Sequence, residues 1–240
     1  MPERAAIVTG ASRGIGLAIA DVLGQEGFAL TLAARRPDTL EATAEQLRDK
    51  GYEVEAVAAN LMDEEAIVEV AARHRERFGR LDALVNNAGV GIGAAADEHQ
   101  AKRVDMQLAV NVRAIVLFYR ECAAMLKAAG AEHGRALVVN MASIAGKSGQ
   151  PWLSVYSATK FAVVGYTQAM NRELGTAGVK SVAFCPGFVD TDMTEFVKHE
   201  VGAEEMIKPQ DLGEAVRFLL KLSPACVVPE MIFQRPNETL

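Results

Sequence analysis

Short apolar runs of strand length alternate with helix-length stretches from one end of the chain to the other, and this alternation limits the fold more than any other feature. The runs Ala5 to Thr9, Ala29 to Ala33, Val54 to Ala58, Ala83 to Val85, Ala136 to Val139 and Val179 to Phe184 read as strands. Between them lie helix candidates at Ile15 to Gln25, Thr39 to Lys50 and Glu64 to Phe78, with longer ones near Ala101 to Ala129 and Ser154 to Gly175. Strands joined through helices of this length imply right-handed crossovers and a parallel sheet covered on both faces. The expected fold is therefore α/β, a doubly wound parallel sheet of about seven strands with helices on both sides. A helix from Pro209 to Leu222 and a short strand around Val227 to Ile232 would close it. Half of the 240 residues are apolar, enough to bury one good core, and no linker or repeat divides them. A single domain over residues 1–240 is expected, in which Gly187 to Lys208, the longest stretch without periodicity, reads as a loop or lid over a substrate.

Charge and cysteine content narrow the function classes. The 31 acidic against 25 basic side chains leave the chain mildly acidic, with no basic run of the kind that neutralises a line of phosphates, so nucleic acid is not an expected partner. Cys122, Cys185 and Cys226 are widely spaced, odd in number and set in apolar surroundings; they read as buried thiols in a reducing, cytoplasmic setting. No apolar run approaches membrane-spanning length, and no leader is expected ahead of the first strand. His74, His99, His133 and His199 are scattered in mostly polar contexts without ligand spacing, so no metal is expected. The alternating Arg and Glu of Arg73 to Arg80 read as a solvated helix face.

Thr9-Gly10-Ala11-Ser12-Arg13-Gly14-Ile15-Gly16 falls between the first strand and the first helix. Glycines there permit a tight turn and let backbone N–H groups approach a pyrophosphate at the helix N-terminus. The second strand then ends in Arg35-Arg36, with no carboxylate to repel a phosphate and two guanidiniums able to hold one. NADP(H) is favoured, and NAD(H) is left open.

The spacing Gly-x-x-x-Gly-x-Gly after a threonine resembles the glycine motif of the short-chain dehydrogenase/reductase family, and further motifs follow in that family's order over almost the whole chain. They are Asn86-Asn87-Ala88-Gly89 after the fourth strand, Asn111 in a long helix, Ser143 after the fifth strand, Tyr156 and Lys160 in a Tyr-x-x-x-Lys motif, and Pro186-Gly187 with Thr191 beyond. The resemblance implies a Rossmann-type fold and catalysis by Ser143, Tyr156, Lys160 and Asn111. It implies cofactor contacts from Gly10, Ser12, Arg13, Gly14, Ile15, Gly16, Arg35, Arg36, Asn60, Leu61, Asn87, Ala88, Gly89, Tyr156, Lys160, Pro186, Gly187, Val189 and Thr191. Asn111 is expected to kink its helix and organise a water in the proton path, and Lys160 to bond the nicotinamide ribose.

The chemistry suits these residue types. Tyr156 and Lys160, four apart, project from one helix face, and a neighbouring ammonium favours phenolate, moving a phenol from near its usual pKa of about 10 toward the range of a general acid or base. Ser143 would hold the substrate oxygen over the nicotinamide and stabilise negative charge as hydride arrives. The expected activity is NADP(H)-dependent interconversion of a carbonyl and a primary or secondary alcohol. The alternatives are an NAD-linked alcohol dehydrogenase, a 3-oxoacyl-thioester reductase of the same family, and a catalytically retired nucleotide-sensing protein. Two departures bear on these. Asn60 stands where many family members have aspartate, and Val227 to Leu240 lacks the glycine-rich ending common in those that reduce acyl-carrier substrates, resembling general carbonyl reductases instead. Trp152, Phe188, Met193 and Phe196 are candidate substrate contacts, with Val197, Met206 and Ile207 as further candidates, and they point to a substrate with a hydrophobic portion. A homo-oligomer, tetramer or dimer, is expected from the resemblance, through the two longest helices.

Overall fold

The computed structural model describes residues 2–199 and 201–236. Seven strands form one sheet in the order β3-β2-β1-β4-β5-β6-β7, and every neighbouring pair is parallel. They are β1 (Ala5–Thr9), β2 (Ala29–Ala34), β3 (Val54–Ala58), β4 (Ala83–Asn86), β5 (Ala136–Met141), β6 (Val179–Pro186) and β7 (Glu230–Phe233). The helices are α1 (Gly14–Gln25), α2 (Pro37–Asp49), α3 (Glu64–Phe78), α4 (Ala101–Leu108), α5 (Ala114–His133), α6 (Ser154–Leu174) and α7 (Pro209–Lys221). β1 and β2 are buried along their whole length, as strands covered on both faces must be. Successive residues feed opposite cores. Ile7 and Leu84 pack under α3, α5 and α6, while Ala6, Val8 and Val85 pack under α1, α2 and α7. The chain order reverses between β1 and β4, and the carboxyl ends of those two strands border the crevice where ligands bind in doubly wound sheets.

Three expectations change. The long helix near Ala101 is α4 and α5 joined by a π-helical turn, Ala109–Arg113, which carries Asn111. The last strand begins later than its apolar pattern indicates, because Pro229 has no N–H to give; its carbonyl accepts Ala183 N–H at 3.0 Å and pairing starts at Glu230. Cys122 and Cys185 are buried but Cys226 is exposed, since the stretch ahead of β7 lies outside the sheet. The segment after β6 contains two short 3-10 turns, Asp192–Val197 and Ala203–Glu205, and its ends are tied together where Asp190 N–H donates to Ile207 O at 2.9 Å.

His74 also departs from its polar sequence context. It is fully buried, with Nε2 at 2.8 Å from Arg80 O and Nδ1 at 2.7 Å from Thr31 Oγ1. The carbonyl requires Nε2–H, so Nδ1 accepts from the threonine and the ring is neutral. Burial lowers its pKa from 6.5 to about 4. The unfolded chain therefore takes up a proton below about pH 6.5 that the folded chain refuses until about pH 4, and stability falls as pH falls through that window. Going from pH 7 to pH 5 should cost about 2 kcal/mol through this residue. Urea midpoints at the two pH values check it, and the difference should shrink by that amount in His74→Gln.

Candidate active site

The glycine turn is built around atoms that leave no room for side chains. Gly10 lies at φ +64°, and a Cβ there would meet Ala88 Cα at 2.9 Å; a Cβ on Gly16 would meet Gly10 O at 2.4 Å. Thr9 holds the other side: its hydroxyl donates to Val85 O at 3.2 Å and accepts the N–H groups of Asn87 and Ala88, both at 3.0 Å. Asn87 Nδ2 donates back to Thr9 O at 3.0 Å and Gly10 O at 3.2 Å. β1 and β4 are thus locked together where the chain order reverses. α1 begins at this turn without a side-chain cap or an acidic residue in its first turn, leaving its amide dipoles to an anion. A bare-backbone cradle facing an uncapped helix N-terminus fits a dinucleotide pyrophosphate.

Of the other candidate cofactor residues, Arg35 and Arg36 stand exposed at the end of β2, and Ser12 is tied to α2 by Thr43 Oγ1 at 3.0 Å from its carbonyl. Arg13 forms an ion pair with Asp192 across the cleft. Leu61 is buried, and the Asn60 amide is occupied locally, by Asp63 Oδ2 at 2.8 Å and Met62 N–H at 3.3 Å. Thr191 brings its methyl group against Gly14, 3.2 Å from where a Cβ would sit, so the segment after β6 rests on the glycine turn. Val189 is buried beside it.

Ser143, Tyr156 and Lys160 converge. Ser143 ends the extended run after β5; its hydroxyl donates to Pro186 O at 3.4 Å and accepts Ala145 N–H at 3.2 Å. The 3-10 turn that follows, Ile144–Gly146, abuts α6 so closely that a Cβ on Gly146 would lie 2.7 Å from the Lys160 carbonyl. That contact sets Ser143 in register with α6, near enough to the Tyr156 phenol for its hydroxyl to pull the phenol's pKa down. Lys160 is buried, with Nζ donating to Met141 O at 2.7 Å and lying 5.4 Å from the Tyr156 ring centroid. Burial lowers the Lys160 pKa to about 8.

Tyr156 corrects an expectation. Its pKa is raised, because burial outweighs the lowering by the Ser143 hydrogen bond, and Lys160 spends its ammonium on a carbonyl instead of the phenol oxygen. The resting phenol is protonated at neutral pH. Asn111 is fully buried and its amide is fully employed: Oδ1 accepts Val90 N–H at 2.8 Å, while Nδ2 donates to Val90 O at 2.8 Å and Thr159 Oγ1 at 3.0 Å. The π turn aims it there, so what Asn111 visibly does is hold the strip after Gly89 against α6.

Several supporting residues carried no catalytic signal in the sequence. Gln107 Oε1 accepts Ile92 N–H at 3.1 Å from the same strip, and Gly91 lies under the Tyr156 ring, 3.5 Å from a Cβ position. Gln107 lies one helical turn before Asn111 and is buried, which only the fold reveals. Among the candidate substrate residues, Trp152, Met193 and Phe196 are exposed, Phe188 lies beneath Arg235 at 5.5 Å, and Met206 belongs to the buried interior. Val197 and Ile207 are half-buried.

A family model described as short chain dehydrogenase matches residues 4–202. A Streptomyces coelicolor protein provisionally named a ketoacyl reductase is 35% identical over 95% of this chain and 94% of its own. Among solved structures, a variant of actinorhodin polyketide ketoreductase with NADPH superposes with a TM-score of 0.86 at 32% identity, covering 95% of both chains. The 3-ketoacyl-(acyl-carrier-protein) reductase of Brucella melitensis with NADH gives 0.87 at 28% identity, covering 96% of both.

Proposed function

Because the chain belongs to the short-chain dehydrogenase/reductase family of oxidoreductases, we propose that it is an NADP(H)-dependent enzyme interconverting a carbonyl and an alcohol, with Tyr156 as the general acid and base. The observation that carries this reading is the convergence of Ser143, the protonated, half-buried Tyr156 and the buried Lys160 ammonium, with Lys160 Nζ 5.4 Å from the Tyr156 ring centroid. The dinucleotide, when bound, supplies hydride to the carbonyl carbon in reduction and accepts it in oxidation. Ser143 donates a hydrogen bond to the substrate oxygen, Tyr156 delivers the proton that completes the alcohol, and Lys160 holds the nicotinamide ribose hydroxyls and stabilises the phenolate left behind. Asn111 keeps the strip from Val90 in place and lines the route by which solvent returns the proton.

The preference for NADP(H) is supported by Arg35 and Arg36, exposed at the end of β2 with no carboxylate beside them in the chain, and by the NADPH in one solved relative. The NADH in another keeps NAD(H) as the competing choice. Arg13 would join the phosphate contact by exchanging its partner Asp192. Arg35→Asp is expected to lower the preference, read as the ratio of NADH to NADPH dissociation constants, at least about tenfold, the worth of a charge-assisted hydrogen bond. Equal wild-type affinity for both would overturn the assignment. The named relatives favour a second substrate reading, a 3-ketoacyl thioester. Following NADPH absorbance over a panel of ketones, aldehydes and 3-ketoacyl thioesters decides between them, and no consumption across the panel would reject catalysis. Self-association through α5 and α6 is supported by exposed Val116 and Phe161, one on each helix. No helix among the described residues is long and apolar enough to cross a membrane.

A further inference from the structure

Trp152 has a backbone that its side chain disfavours. It is the one non-glycine residue with positive φ among those described, at +65°. Leu153 N–H donates to Gln150 O at 3.2 Å, which makes Pro151 and Trp152 the central pair of a turn with the marks of type II, where the second central position calls for glycine or asparagine. A bulky residue held in this region is an outlier that surrounding contacts must enforce. Three do so. Ala94 N–H donates to Trp152 O at 2.9 Å, His99 Nε2 lies 3.0 Å from Ser154 Oγ just beyond the turn, and the indole lies so close on Gly93 that a Cβ there would sit 2.3 Å from the ring.

Despite this immobilisation the residue remains 58% exposed. A core role would have buried the ring, and a plain turn would have used glycine. Gly91 lies under the Tyr156 ring as Gly93 lies under the indole, two residues further along the strip that Asn111 and Gln107 anchor. The two rings therefore lie against the same strip two residues apart, one of them the proton donor. Resting on the reading of Tyr156 as proton donor, we propose that Trp152 is a specificity-determining residue, a fixed platform on which a planar aromatic or conjugated group attached to the reacting carbonyl stacks. Offset stacking on a rigid indole favours a flat π surface over a saturated ring of equal size.

Methyl phenyl ketone and methyl cyclohexyl ketone are the probes. The ratio of their kcat/KM values should favour the phenyl compound in the wild type and fall about tenfold in Trp152→Asn, a fold-change in the range of an aromatic contact with its buried area. Asparagine accepts left-handed backbone, so this variant should melt within a few degrees of the wild type; Trp152→Phe should restore most of the ratio. An unchanged ratio, or equal losses on both ketones, would show that Trp152 only shapes the turn. Because it is the sole tryptophan, its fluorescence gives a readout that needs no turnover. In the NADPH complex, methyl phenyl ketone should quench it saturably, below the concentrations that quench free tryptophan, and methyl cyclohexyl ketone should not. If neither ketone is reduced while this selective quenching is present, the platform stands and the assigned chemistry fails. Without selective quenching, the platform is rejected whatever the enzyme reduces.

Discussion

Replacing Tyr156 with phenylalanine is expected to cut kcat by about a thousandfold or more while changing the NADPH dissociation constant less than about threefold. The reason lies in how little else the hydroxyl does. The ring keeps its seat against Gly91, and Lys160 keeps its hydrogen bond to Met141 O, because neither contact uses the phenol oxygen. The variant removes only the proton carried next to Ser143. Since burial holds the phenol protonated at rest, the wild type would enter the proposed reduction with its proton in place, and phenylalanine would have nothing to deliver. Single-turnover oxidation of bound NADPH reports the chemical step apart from product release. Turnover within about tenfold of wild type would remove Tyr156 from proton transfer. Loss of NADPH binding along with turnover would mean that the hydroxyl supports the cleft as well as the reaction.

The sheet was legible because its signal is local: continuous apolar runs such as Ala5–Thr9 and Ala29–Ala34 need no knowledge of partners to read as buried parallel strands. The candidates Gly10, Ser143, Tyr156 and Lys160 came from motifs that resemble those of a known family, and the fold brings the last three together. What stayed hidden depends on contacts between distant segments. His74 sits among arginines and glutamates in sequence, yet the face of α3 that it shares with Val70 and Phe78 turns it into the core. The expected phenol pKa rested on the local rule that a lysine four residues away lowers it, and that rule failed because burial raises it and Met141 O claims the ammonium from another element. Thr9, Gln107 and Gly93 have residue types too common to mark a site; each gains its role only when β4, the strip after Gly89, or the indole arrives beside it.

Gly16→Ala is expected to damage cofactor binding more than it damages stability. Its Cβ would be forced 2.4 Å from Gly10 O and 2.6 Å from Asn87 Nδ2, and neither can retreat freely. Gly10 is backbone at φ +64°, and the Asn87 amide is already spent on Thr9 O and Gly10 O. Relief must come from moving α1 away from the turn, which breaks the lock between β1 and β4. Overpacking of this kind costs about 1–3 kcal/mol of stability. The cost to the cofactor should be larger, because displacing the start of α1 spoils every amide aimed at the pyrophosphate together, and NADPH affinity should fall at least about a hundredfold. Gly165→Ala is the matched control: that glycine lies inside α6 with open space at its Cβ position, so alanine should raise stability by about 0.5–1 kcal/mol and leave NADPH binding alone. Calorimetric titration with NADPH and thermal melts of both variants check the pair. If Gly16→Ala bound NADPH like the wild type, the dinucleotide would have to enter somewhere other than the junction of β1 and α1.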